Sequence, residues 1–297
     1  MKQIKVQCPA KINLTLKVLN KRDDGFHNIE SIMQTISLYD YLTIDAEKSE
    51  NIEIILNGNS KEIPYNEKNL VYKAVKLFLE ETGKTGKISI YIEKNIPVSA
   101  GLAGGSTDAA GTLFGLNEIF EKPLNETELH KLCAKLGSDL NVCLKGGRIL
   151  ATGRGEIIEP LEFEEFKVSL IKPVNLGISA KEAYEKLEGK KVRGLEDKLF
   201  YNNDISEIKQ EQQNDTDLSS YRPIALSPFK NHLEWAIIDD YKELQTIKKL
   251  YPNSMMSGSG STYFVINDEF KSLDGYWIMN GLKSIDKGVC IKNDLLN

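Results

Sequence analysis

A chain of 297 residues is long enough for one large domain or two of ordinary size, and two is the expectation. With 41% hydrophobic and 27% charged residues it has the make-up of a folded globular chain, which excludes disorder, collagen-like repeats and a disulfide scaffold. A net charge of −5, with Lys and Arg scattered rather than clustered, argues against a nucleic-acid partner. The four cysteines, Cys8, Cys133, Cys143 and Cys290, form no CxxC or CxxH pair, and three histidines do not make up a zinc set. They read as small core residues of a reducing compartment. No apolar signal segment opens the chain and no run of about 18 apolar residues occurs, so the expectation is a cytoplasmic protein without a membrane partner.

In chain order, Ile12, Leu14, Leu16 and Val18 alternate with polar residues and predict a half-buried strand, with Lys11 and Asn13 on its polar face. Asp23-Asp24-Gly25 marks a turn, followed directly by Phe26 and His27. Strands are expected over about 29–45 and 51–56, with Asn57–Ser60 as a loop. Residues 69–82 switch to a helical period closed by Gly83, and Ile88, Ile90 and Ile92 then alternate as a strand that Pro97 ends. A glycine-rich stretch leads into a helix of small residues beginning near Thr107, and Leu129, Leu132, Cys133 and Leu136 mark another helix that stops at Gly137.

Pro160 and the acidic run before residue 166 suggest a boundary near 160. Beyond it lie a strand at 168–171, a short helix near 181–187, a polar stretch at 202–220 that reads as a loose excursion, and helices near Leu233 and Leu244. A second glycine-rich element, Met256–Ser261, precedes a strand at 263–266. Strands and helices alternate without a strict βαβ rhythm, so the expected class is α+β.

Three elements could carry chemistry. The stretch Pro97-Val98-Ser99-Ala100-Gly101-Leu102-Ala103-Gly104-Gly105-Ser106-Thr107 empties a strand into glycines and then into a helix with hydroxylic first residues. Glycines let backbone N–H groups approach an anion, and a helix N-terminus adds partial positive charge, which is what a polyphosphate needs. The spacing is neither a Walker A loop nor a dinucleotide fingerprint, and a tight turn with an N-cap at Ser106 is the plainer alternative. Lys11 with Asn13 reads, taken alone, as a solvated strand face. Asp139 in Gly137-Ser138-Asp139 is placed just past a helix C-terminus, where a carboxylate is at home as a turn former, or with a cation beside it.

Together, in this order, the pieces resemble the GHMP kinases. The matching stretches are PAKINLTLKVLNKRDDGFHNIESIMQTISLYD (9–40), IPVSAGLAGGSTDAAGTL (96–113), LGSDLNVCLKGGRILATGRGE (136–156) and MMSGSGSTYF (255–264). The first and third are particular to the branch that phosphorylates a cytidine-diphosphate alcohol. The resemblance implies a two-domain α+β fold: a ribosomal S5-like ATP-binding domain (1–160) and a ferredoxin-like domain (161–297), with the active site between them. It implies ATP and Mg²⁺ as cofactors, ATP lying on the 97–107 loop, and a monomer or homodimer. The implied reaction is phosphorylation of the 2-hydroxyl of a diphosphocytidyl methylerythritol, in non-mevalonate isoprenoid synthesis. A homoserine- or mevalonate-type kinase and a non-catalytic nucleotide-binding paralogue are the alternatives.

Carried over position by position, Lys11 and Asp139 match the family's catalytic pair; with the metal ligands left open, Ser106 is the loop hydroxyl best placed to reach Mg²⁺. Asn13, Phe26, His27, Lys94 and Tyr184 match substrate positions: His27 as reader of the cytosine edge, Phe26 (where the family usually has Tyr) and Tyr184 as rings on its two faces. The chain departs from the family pattern at Asn141-Val142, His232 and Ala180.

Overall fold

The computed structural model describes residues 2–192 and 231–292, so the polar stretch at 202–220 lies outside the described residues. The architecture is α+β, built on two sheets. The first sheet contains β1 (Lys2–Asn13), β2 (Lys17–Lys21), β3 (His27–Glu47), β4 (Glu53–Gly58), β5 (Lys87–Glu93), β6 (Arg148–Thr152), β7 (Ile157–Pro160) and the short β12 (Cys290–Ile291). Its spine runs β12-β1-β3-β5-β4, antiparallel except for the β4–β5 pair. At 21 residues β3 serves two neighbourhoods: its second half pairs with β1 and β5, and its first half with β2 and β6. The second sheet has the order β11 (Tyr276–Lys283), β8 (Lys167–Pro173), β10 (Tyr263–Ile266) and β9 (Met255–Met256). Strands up to Pro160 thus build the first sheet and those from Lys167 build the second, until residues 290–291 return to the first.

Helix α1 (Leu70–Thr82) follows the expected bounds, with Asn69 capping its start and Gly83 its end. It packs with α2 (Gly104–Ile119) and α3 (Glu126–Leu136) on one face of the first sheet, around Val6, Leu42, Ile44, Phe78 and Ile90. The small residues of α2 have a packing reason. A Cβ on Gly111 would lie 2.3 Å from the Cys8 sulfur, and one on Gly115 would lie 2.6 Å from Ile44 Cδ1, so only bare backbone lets α2 approach β1 this closely. A second core joins the second sheet to α5 (Ala180–Val192), α6 (His232–Ile237) and α7 (Lys242–Leu250). A third, with Ile12, Ile36, Val168, Leu170 and Phe264, fills the seam between the sheets. The short α4 (Leu140–Lys145) follows α3.

Three expectations are corrected. The strand expected over 12–18 is interrupted, because the amides of Leu14 and Thr15 both turn to the Ile32 carbonyl and the Thr15 hydroxyl accepts from Ile32 N at 2.9 Å. The polar face of β1 is also not solvated: Lys11 and Asn13 are each 3% exposed. The helix expected from Thr107 begins three residues earlier, at Gly104. Ala103 takes a left-handed conformation that breaks the incoming chain, and Thr107 N donating to Ala103 O at 2.9 Å closes the first helical turn. Among the described residues no helix is long and apolar enough to cross a membrane.

Candidate active site

A cavity of about 770 Å³ opens where the two sheets meet, lined by β1, the 97–105 loop, Asp139, the Phe26–His27 turn and α5. Its floor at one end is the start of α2. The first turn there, Gly104 to Thr107, has neither a side-chain cap nor an acidic residue, and Gly104 and Gly105 line the cavity with the positive end of the helix dipole behind them. The loop is braced from below by the second glycine-rich element. Ser257 Oγ donates to Gly101 O at 3.0 Å, and Thr262 N donates to Ala100 O at 3.3 Å. A Cβ on Gly101 would sit 2.0 Å from the Ser257 carbonyl oxygen. Both loops are glycine-rich because they touch backbone to backbone.

Lys11 emerges from β1 beneath this loop. Its ammonium donates to Asn13 Oδ1 at 2.6 Å and to Gly101 O at 3.2 Å, and stands 3.4 Å from Asp139 Oδ2. Asp139 is 30% exposed and reaches the cavity. The residue lies just past the end of α3, as the spacing suggests, and is also the N-cap position of α4, without a side-chain cap bond, so its carboxylate is left to Lys11 and the cavity. A helix N-terminus and an ammonium together make this a favourable place for a negative charge.

Asn13 lines the cavity and is also engaged within the protein. Its Oδ1 accepts from Lys11 and its Nδ2 donates to Ser31 Oγ at 2.8 Å, so it orients the lysine from within the protein. Lys94 lines the cavity too. Its ammonium is bound by the carboxylates of Asp40 and Asp108, the latter at 3.0 Å, and lies 2.7 Å from where a Cβ on Gly104 would be. It thus stands beside the start of α2. Asp108 is buried with one oxygen unpartnered; burial foremost, with Asp40 adding, pushes its carboxyl up to about 8 against the opposing pull of Lys94. Sequence reasoning passed over Asp40 and Asp108 although both stand inside the matching stretches, because a lone Asp carries no sign of its partners.

At the other end of the cavity, Phe26 is 50% exposed at the tip of the β2–β3 turn. His27 stacks on Tyr184, ring centroids 5.1 Å apart at 13°, and its Nε2 lies 3.0 Å from Glu188 Oε1. Burial foremost, with Asp139 adding, pushes the Tyr184 hydroxyl up to about 12. The departures from the family pattern have local uses. Asn141 donates to Glu156 O at 2.7 Å, Val142 is core, and His232 Nδ1 accepts from Val18 N at 3.1 Å. Among the described residues no group of three or more His, Cys, Asp or Glu could hold a metal by itself. Ser106 is half-buried in the first turn of α2, next to Gly104 and Gly105, which line the cavity; an ion carried by nucleotide phosphates would need few ligands from the protein.

Residues 69–147 match the model of the GHMP kinases N terminal domain. The 4-diphosphocytidyl-2-C-methyl-D-erythritol kinase of Clostridium beijerinckii is 39% identical over 272 residues, covering 90% of this chain and 91% of that one. A crystal structure of 4-(cytidine 5'-diphospho)-2C-methyl-D-erythritol kinase superposes with a TM-score of 0.71 at 26% identity, over 95% of this chain and 99% of that one. The homoserine kinase of Cytophaga hutchinsonii, at TM-score 0.68 and 16% identity over 98% of both chains, shares the fold. The chain belongs to the GHMP kinases, which are ATP-dependent, and within them to the 4-diphosphocytidyl-2-C-methyl-D-erythritol kinase family.

Proposed function

We propose that this enzyme transfers the γ-phosphoryl group of ATP to the 2-hydroxyl of 4-diphosphocytidyl-2-C-methyl-D-erythritol, a step of non-mevalonate isoprenoid synthesis. The observation that carries the reading is the Lys11–Asp139 pair, 3.4 Å apart, in the cavity that also holds the open start of α2. Phosphoryl transfer needs positioning and charge neutralisation more than covalent help from the protein. The polyphosphate rests on the N–H groups of Gly104, Gly105 and Ser106. Asp139 accepts the proton of the substrate hydroxyl as the new oxygen–phosphorus bond forms and the bond to ADP breaks. Lys11, held in line by Asn13 and Gly101 O, orients the Asp139 carboxylate and offsets charge on the transferring group. Mg²⁺, held on the protein side by Ser106, would add further neutralisation of the phosphate oxygens.

Residues 1–160 and 161–297 are its two domains in this reading, in keeping with the change of sheet between Pro160 and Lys167. Its four free cysteines suit the reducing cytoplasm. The rings of Phe26, His27 and Tyr184 favour a nucleobase-bearing substrate over homoserine or mevalonate, which offer nothing to stack. The test is an ADP-release assay with the cytidylyl alcohol beside homoserine and mevalonate. Turnover confined to the first supports the reading; comparable turnover of either other alcohol, or of none, overturns it.

A further inference from the structure

We propose that Arg154 is a positioning residue for the nucleobase: it clamps the ring of Phe26 against the end of α3, so that the ring presents its remaining face to the cavity. The inference rests on reading this end of the cavity as a cytidylyl site. Phe26 belongs to none of the three apolar cores, and its ring is half exposed at a hairpin tip. Its backbone is fixed, since Phe26 N donates to Asp24 Oδ1 at 3.2 Å and its carbonyl accepts from Arg22 N at 2.7 Å. Among the described residues the ring has one cation or ring contact, the Arg154 guanidinium 5.1 Å from its centroid.

That guanidinium is anchored in turn. Its Nη2 donates to Ala134 O, one of the last carbonyls of α3, which have no partner within the helix. Arg154 N donates to Glu156 Oε2 at 2.7 Å, and the same turn accepts Ile29 N at Gly153 O at 2.7 Å, two residues past His27. Gly155 packs on Ser138, its Cβ position 3.2 Å from the Ser138 Cβ, directly before Asp139. The 153–156 turn therefore ties the Phe26–His27 hairpin to the segment that carries Asp139. Only a planar cation can stack its face on a ring while its edge donates to a helix end, so lysine is not an equivalent here.

The test uses R154K, R154Q, F26A and the F26A/R154Q double variant of the full chain, measuring KM for the cytidylyl alcohol, KM for ATP, kcat and Tm. Loss of the clamp is expected to raise KM for the alcohol roughly 3- to 30-fold in both R154K and R154Q, with KM for ATP within about twofold. In the F26A background, R154Q is expected to add nothing. An additive effect there would mean that Arg154 acts on the substrate itself, and overturns the proposal. So does an unmoved KM for the alcohol, or a general fall in Tm and kcat with both KM values shifted alike. Wild-type enzyme inert toward the cytidylyl alcohol would overturn the functional reading and this inference with it, whereas active wild type with an indifferent Arg154 overturns this inference alone.

Discussion

Two alanine substitutions four residues apart in the same loop should have opposite consequences. Gly101 has φ +75°, and an added Cβ would lie 2.0 Å from Ser257 O, 3.0 Å from Ser257 C and 3.1 Å from Gly260 N, all backbone atoms. The left-handed conformation costs an alanine about 1–2 kcal/mol, and forcing apart two packed backbones adds about 1–3 kcal/mol. Gly101→Ala should then lose about 2–5 kcal/mol, which for a chain of this size lowers Tm by roughly 5–15 °C. Because Lys11 donates to Gly101 O, the same shift should also depress kcat. Gly105 is the counterpart: exposed, in the first turn of α2, with nothing within 4 Å of its Cβ position. Gly105→Ala should keep or slightly raise Tm, as a helical Gly→Ala exchange is worth up to about 1 kcal/mol, while its methyl at the phosphate floor raises KM for ATP. Thermal melts and ATP kinetics on both variants check this. A Gly101→Ala protein as stable as wild type would refute the backbone contact, and an unchanged ATP KM in Gly105→Ala would refute the placement of phosphate.

Three further outcomes follow from the charges and rings around the cavity. Lys94→Met strands two buried carboxylates, Asp40 and Asp108, and should cost about 3–5 kcal/mol in denaturant unfolding; an unmoved midpoint would remove the triad from the account. Asp108 has a folded-state carboxyl raised to about 8 from an ordinary value of 3.8, so its contribution to stability is complete below about pH 4 and is lost as pH rises through 8. Asp108→Asn should flatten the Tm profile between those limits, and a slope equal to wild type would contradict the burial argument. His27→Ala should raise KM for the cytidylyl alcohol by about 5- to 150-fold, the worth of one base contact, with ATP unaffected; a lower Tm with unmoved KM would return His27 to a structural role.

The repetitive parts of the chain were readable because periodicity reports burial directly. Asn69 and Gly83 bracket α1 as the caps predict, and the isoleucines of β5 alternate as a half-buried strand must. The failures share a cause, which is that local pattern does not reveal a distant partner. Lys11 and Asn13 look solvated along β1, and are buried because Gly101, Ser257 and Asp139 close over them from 90 to 244 residues away. Lys94 looks like a spare cation until Asp40 and Asp108 enclose it. Arg154 reads as one more polar residue in a turn, since neither its ring nor its helix end is near it in sequence. Asp139 stands just past the end of α3 as the spacing indicates, but the start of α4 after it was not legible, because α4 has only six residues, too few to announce a helix start.

The central claim is that Asp139, beside Lys11, takes the proton of the acceptor hydroxyl. Asp139→Asn preserves the shape of the side chain but removes both the proton acceptor and the charge paired with Lys11. Single-turnover kinetics with the cytidylyl alcohol and ATP, alongside equilibrium ATP binding, measure the effect. The account predicts phosphoryl transfer slowed by ~10²–10⁴-fold with ATP affinity and Tm close to wild type, because the nucleotide rests on α2 and not on this residue. Transfer within a few-fold of the wild-type rate would contradict it.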